Sequence, residues 1–172
     1  TGTLQFWSNT GSAAIQNYLT NNSLYAAELS LSSRVSSSSV FQYVDLDKGN
    51  YPLSLDINTF DIPSGVSVFL KAESQSNSAH SVEKRIPVNE YYATGSYAFD
   101  SLNFSSIPSV SGGKERFKIS VIVSGTVSSP VSVEIDNLML SKTTGAAPYD
   151  MTNAGHFETS YGVSPSTFWK IL

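Results

Sequence analysis

Residues 37–58, SSSVFQYVDLDKGNYPLSLDIN, alternate apolar and polar side chains twice and break between the two runs at Asp47-Lys48-Gly49-Asn50. Successive side chains of a strand point to opposite faces. Val40, Gln42, Val44 and Leu46 therefore share one face, and Phe41, Tyr43 and Asp45 the other. Gly49 admits the positive φ that a tight turn asks for. Beyond it Tyr51, Leu53, Leu55 and Ile57 point one way, and Pro52, Ser54, Asp56 and Asn58 the other. The stretch predicts a hairpin with one apolar face.

The same pattern extends outward in both directions. Pro63-Ser64-Gly65 makes a turn, after which Val66, Val68, Leu70 and Ala72 alternate with Ser67, Phe69, Lys71 and Glu73. Val82 to Val88 gives a weaker strand, and its Pro87 favours an edge because proline cannot donate to a ladder. Residues 89–113 read as mostly irregular. Phe117, Ile119, Val121 and Val123 alternate cleanly, as do Val131, Val133 and Ile135; the apolar parity then slips by one residue at Asp136-Asn137, which predicts a β-bulge. Towards the N-terminus the alternation is faint around Leu4 to Ser8 and Ser23 to Leu31, and Thr10 to Tyr18 has room for a helical turn. Short amphipathic strands joined by polar turns predict an all-β sandwich of two antiparallel sheets. Residues 1–142 are expected to form it, with 143–172 as a tail or linker.

Composition narrows the function classes. The chain has 172 residues, 10 Lys+Arg against 14 Asp+Glu, a net charge of -4 and no basic run, which disfavours a binder of nucleic-acid phosphates. With no basic patch to release counterions, any binding is expected to be to neutral or mildly polar ligands and to depend weakly on salt. Cysteine is absent, so disulfides and Cys-ligated metals are excluded. No apolar run approaches the roughly 20 residues that span a bilayer. Thr1 to Thr20 lacks a signal-peptide pattern, and the chain reads as a soluble piece of a longer polypeptide. His80 and His156 have no nucleophile elbow or zinc-type spacing around them, and no pair of carboxylates stands in a context that singles it out, so the expectation is a protein that is not an enzyme. His80 reads as a solvated loop histidine.

The order of segments LQFWSNTG, NSLYAAELSLSS, QYVDLDKGNYPLSLDIN, KERFKISVIVSG and VSVEIDNLMLSK resembles the jelly-roll carbohydrate-binding modules attached to glycoside hydrolases. The resemblance covers roughly residues 4–142 and lies in a Q-x-V-x-L strand, a Tyr-x-Leu-Ser strand, an E-R-F strand and a final I-D-N-x-x-L strand. The run IDNLMLSKTTGAAPYD is similar to the end of a variant found in bacteriophage tail and baseplate proteins. The resemblance implies a jelly roll, with glycan held on a concave outer face. It also implies bacterial surface polysaccharide and the neighbouring domains of a tail protein as partners, and the virion as the place of work. The alternatives are a module of a secreted glycoside hydrolase and a purely structural tail or fibre domain. Many such modules hold a structural calcium near the first and last strands, and Asp136 stands where the last-strand ligand would be; Thr1 to Asn22 supplies no acidic partner.

Sugar rings offer an apolar face rimmed by hydroxyls, so a glycan site needs an aromatic platform beside polar or charged groups. Tyr51 and Phe117 share faces with aliphatic residues and read as core. The opposite parity places Phe41, Tyr43, Asp56, Asn58, Phe69, Lys71, Arg85 and Lys118 outward. Tyr43, grouped with Asp56 and Asn58 across the expected hairpin, is the preferred nucleus. Phe69 and Arg85 extend it, and Tyr91, Tyr92 and Tyr97 form a wall above it. These loop aromatics read equally well as a cover over an open core edge. Trp7 is a further candidate platform.

Overall fold

The computed structural model describes residues 8–17, 25–46, 51–58, 62–86, 98–104 and 113–140. Ten strands run through them: β1 (Ser8–Thr10), β2 (Ser12–Asn17), β3 (Tyr25–Leu31), β4 (Ser37–Leu46), β5 (Tyr51–Asn58), β6 (Val66–Ser74), β7 (Val82–Ile86), β8 (Ala98–Phe104), β9 (Glu115–Gly125) and β10 (Val131–Leu140). A single 3₁₀ turn, Ser78–His80, lies between β6 and β7. The strands form two five-stranded antiparallel sheets, a front sheet ordered β1-β4-β9-β6-β7 and a back sheet ordered β2-β3-β10-β5-β8. This is a jelly-roll β-sandwich.

Alternation explains the core. In β6 every second residue is buried, from Val66 through Val68, Leu70 and Ala72 to Ser74. β9 contributes Phe117, Ile119, Val121 and Val123, and β5 contributes Tyr51, Leu53, Leu55 and Ile57, all fully buried in one continuous cluster. Each large aliphatic side chain so buried contributes about 1.5–3 kcal/mol. Edge placement follows the proline logic: β7, which Pro87 follows, has one partner, β6.

Three expectations are corrected. Residues 37–58 do not form a hairpin: β4 pairs with β1 and β9 in the front sheet, whereas β5 pairs with β10 and β8 in the back sheet. Both strands turn an apolar face to the core, but they do so from opposite sides of it. Alternation fixes which face of a strand is buried and is silent about its partner. Residues 12–17 form β2, not a helical turn, because pairing with β3 supplies their backbone bonds. Residues 98–104, inside the segment read as irregular, form β8 at the edge of the back sheet.

The expected bulge is present. Asp136 lies opposite Asp56 but Met139 lies opposite Ser54, so three steps on β10 match two on β5. The extra residue returns Leu138 and Leu140 to the core after Ile135.

The chain passes from front to back sheet at Gly11, between β1 and β2. Its φ of +69 suits glycine, and an added Cβ would strike the Ser37 carbonyl oxygen and come within 2.9 Å of Ser38 Cα. Fully buried Ser38 joins the sheets at this crossing: its hydroxyl donates to the Ser30 carbonyl at 2.6 Å and accepts from the Ser12 N–H at 2.9 Å. A polar residue on a core face is thereby fully used.

Candidate functional site

The outward residues of the front sheet form rows across the strands. One row runs Ser39, Ile122, Phe69, Arg85; the next runs Phe41, Ser120, Lys71, Glu83; a third runs Tyr43, Lys118, Glu73. Tyr43 is the large hydrophobic side chain left open among the described residues, 50% exposed. Its ring meets that of Phe41 edge to face, with centroids 5.8 Å apart and planes at 82°, a favoured aromatic arrangement. The Lys118 ammonium sits 4.1 Å from the Phe41 ring centroid, within cation–π range. Phe41 is thus held between Tyr43 and Lys118, and the free face of this cluster belongs to Tyr43.

Charged groups surround the rings. Arg116 holds Asp45 through Nε at 2.9 Å and Nη2 at 3.2 Å. These bonds from the guanidinium, with its charge, keep the Asp45 carboxyl below its ordinary range. Lys71 lies 3.4 Å from Glu73 and 3.9 Å from Glu83. Arg85 donates from Nη2 to the Ser67 hydroxyl at 2.9 Å.

The sequence-derived nucleus does not come together. Tyr43 is on the outer face of the front sheet, and Asp56 and Asn58 are on the outer face of the back sheet, so the whole core separates them. The Asn58 amide donates to Glu134 at 3.1 Å within that back sheet. Phe69 and Arg85 do share the face of Tyr43 and oppose each other across β6 and β7. Trp7, Tyr91, Tyr92 and Tyr97 lie outside the described residues.

Asp136 is fully buried, with Asp56 as its register partner. Among the described residues no three His, Cys, Asp or Glu side chains gather to hold a metal ion. No helix among them is long and apolar enough to cross a membrane.

His80 is corrected from a solvated loop residue to a partner of Glu115. The Glu115 side chain, wholly buried at the start of β9, accepts bonds from the Ser74 hydroxyl, from the Ser76 hydroxyl at 3.2 Å and from His80 Nδ1 at 2.8 Å. Asn77 Oδ1 accepts from the Ala79 N–H, which turns its amide nitrogen towards His80 Nε2 at 3.0 Å. An amide nitrogen only donates, so Nε2 accepts and Nδ1 carries the proton given to Glu115. The Gln75 N–H adds a bond to the Arg116 carbonyl at 2.9 Å. The loop from Ser74 to Ser81 is thereby latched onto β9, next to the end of the aromatic face. Burial pushes the Glu115 carboxyl up, but the bonds from Ser74, His80 and Ser76 outweigh it and hold the group below its ordinary value.

The jelly-roll β-sandwich is a fold shared with carbohydrate-binding modules. The module TmCBM61, solved in complex with β-1,4-galactotriose, superposes with a TM-score of 0.58 at 18% identity, over 83% of this chain and 92% of that one. A CBM4 module gives 0.52 at 10% identity, over 81% and 96%. The enzymatically active domain of tailspike protein 4 from bacteriophage CBA120 gives 0.59 at 17% identity, over 81% of this chain but 20% of that chain. Identities this low show a common fold. No protein-family model and no curated protein matches the sequence.

Proposed function

We propose that the chain is a non-catalytic carbohydrate-binding module that holds glycan on the outer face of the front sheet, and that it serves adhesion of a phage tail to host cell-wall polysaccharide. The carrying observation is exposed Tyr43 clustered with half-buried Phe41 and Lys118 on a five-stranded sheet. Tyr43 offers the flat apolar surface that a sugar ring stacks on. Lys118, across the strand pair from Tyr43, offers donors to its hydroxyls, and Arg85 a further donor elsewhere on the same outer face. The shared fold with TmCBM61 supports glycan as the ligand, and the shared fold with a phage tailspike domain supports the setting. Fold alone does not fix function; the side chains on this face carry the reading.

A second setting has its own support. An arabinofuranosidase of the GH51 class, MgGH51, contains a region of this fold, with a TM-score of 0.53 over 81% of this chain and 24% of that one. The same face would then tether a secreted hydrolase to its polysaccharide. A hydrolase domain on the same polypeptide would decide for this setting.

The test is binding of a fluorescent fusion to bacterial cells and to a glycan array, for the parent and for Tyr43→Ala. Retention by the parent and loss in the variant support the site. Equal binding by both places it elsewhere, and absence of any glycan binding leaves a structural domain.

A further inference from the structure

Net charge conceals a sharp separation between the two sheets. The five back-sheet strands contain no Lys or Arg and carry Glu28, Asp56, Asp100, Glu134 and Asp136. Among the described strands every cation, Lys71, Lys84, Arg85, Arg116 and Lys118, is in the front sheet. The back-sheet strands thus carry formal charge of one sign, whereas the front-sheet strands combine five cations with the four acids Asp45, Glu73, Glu83 and Glu115.

On the front sheet the acids are already engaged. Asp45 pairs with Arg116, Glu73 and Glu83 flank Lys71, and Glu115 turns inward to His80. Lys118 has Tyr43 and Glu73 as its direct cross-strand neighbours, yet Glu73 is within ion-pair reach of Lys71 instead. No carboxylate of the described residues lies within ion-pair distance of the Lys118 ammonium, which rests on Phe41 beside the open ring of Tyr43.

A ligand stacked on Tyr43 covers this ammonium. A neutral sugar would take water from the charge and return only hydroxyl contacts, whereas an anionic group would return an opposite charge as well. We infer that the glycan bound on the Tyr43 face is anionic, and that a carboxylate or phosphate on the sugar meets the Lys118 ammonium next to the stacked ring. The inference rests on the proposed glycan-binding function and names the ligand class for that site. It departs from the neutral or mildly polar ligand expected from the lack of a basic patch, because a single unpaired ammonium beside the stacking ring suffices.

The test uses a panel of immobilised polysaccharides: neutral ones such as β-1,4-galactan, uronate-bearing ones such as polygalacturonate, and phosphate-ester dextran. The parent protein should prefer an anionic group over the neutral one by about tenfold, the scale of one charge-assisted hydrogen bond. The two anionic arms tell carboxylate from phosphate. The preference should shrink several-fold as salt rises from roughly 50 to 500 mM, since screening tightens over that range. Lys118→Gln should abolish the preference, keep residual binding and lower the melting temperature by no more than a few degrees, the share of the lost cation–π contact. A parent that holds neutral polymers as tightly as both anionic classes, or a Lys118→Gln protein that keeps the preference, overturns the anionic inference and leaves the glycan site standing. Retention of no polymer, or a Tyr43→Ala protein that binds like the parent, overturns the site reading and this inference with it.

Discussion

Replacing Glu115 by alanine tests the buried carboxylate that latches the loop before β7 onto β9. The side chain is wholly buried and accepts from Ser74, Ser76 and His80. Hydrogen bonds to a charged group are each worth about 1.5–3 kcal/mol, but the three cannot simply be added. Ser76 is exposed and can turn to water, and the His80 side chain is 19% exposed. With that partial access to water, the lost charge-assisted bonds together put the expected loss at about 3 kcal/mol. For a chain of 172 residues this is a fall in melting temperature of roughly 6–12 °C. The loss also has a pH signature. A carboxyl held below its ordinary value in the fold stabilises fully above the unfolded value, and the contribution disappears as pH falls through the folded one. Urea unfolding at pH 7 should therefore show the full gap between parent and Glu115→Ala, and the gap should narrow below the ordinary carboxylate range. His80→Ala, which leaves two hydroxyls on the carboxylate, should cost less than Glu115→Ala at pH 7. A Glu115→Ala protein within about 0.5 kcal/mol of the parent at pH 7, or a gap that does not change with acid, would refute the latch.

Gly11→Ala should destabilise by about 2 kcal/mol or more, from the left-handed backbone and the collision with Ser37 and Ser38; thermal melting reads it. Ser38→Ala should cost about 1–3 kcal/mol because the Ser12 N–H and the Ser30 carbonyl both lose a partner, measured by urea titration. Leu53→Ala, in the core, should cost about 2–5 kcal/mol, whereas exposed Tyr43→Ala should change stability by less than about 0.5 kcal/mol while weakening glycan retention; melting curves and cell binding on the same preparations separate the two.

Face assignments were legible in the sequence because they depend only on parity. Val40, Leu46, Leu53 and Leu55 are buried, and Tyr43 and Phe69 lie on the outward face, as alternation predicts. The bulge at Asp136 was legible for the same reason: core parity cannot slip without an extra residue. Partner choice was not legible. β4 and β5 are adjacent in sequence and amphipathic, a pattern that a hairpin and a crossing between sheets satisfy equally, and the crossing separates Tyr43 from Asp56 and Asn58. The Glu115 latch left no local trace, since its partners are 35 to 41 residues away. The charge separation was written in the strands throughout, but it acquires meaning only once each strand is assigned to its sheet.

β9 links the parts of the molecule that matter for binding. It is the central strand of the front sheet, paired with β4 on one side and β6 on the other. Its odd residues from Phe117 to Val123 are buried in the core, and its even ones present Lys118 and Ile122 on the outer face. Lys118 therefore cannot shift along the sheet without dragging Phe117 and Ile119 out of register. At its start the strand is fixed by Glu115 and by the Gln75 bond to the Arg116 carbonyl, three and two residues before Lys118. A cation held on a strand anchored in this way, with its tip resting on Phe41, loses little freedom when a ligand arrives. Loosening the latch should accordingly weaken glycan binding more than its distance from Tyr43 implies. His80→Ala, assayed at a temperature where the protein remains folded, is the variant that reads this: retention on the polysaccharide panel should fall while intrinsic tyrosine fluorescence and circular dichroism stay those of the parent. Unchanged retention in that folded variant would show that the latch serves stability alone.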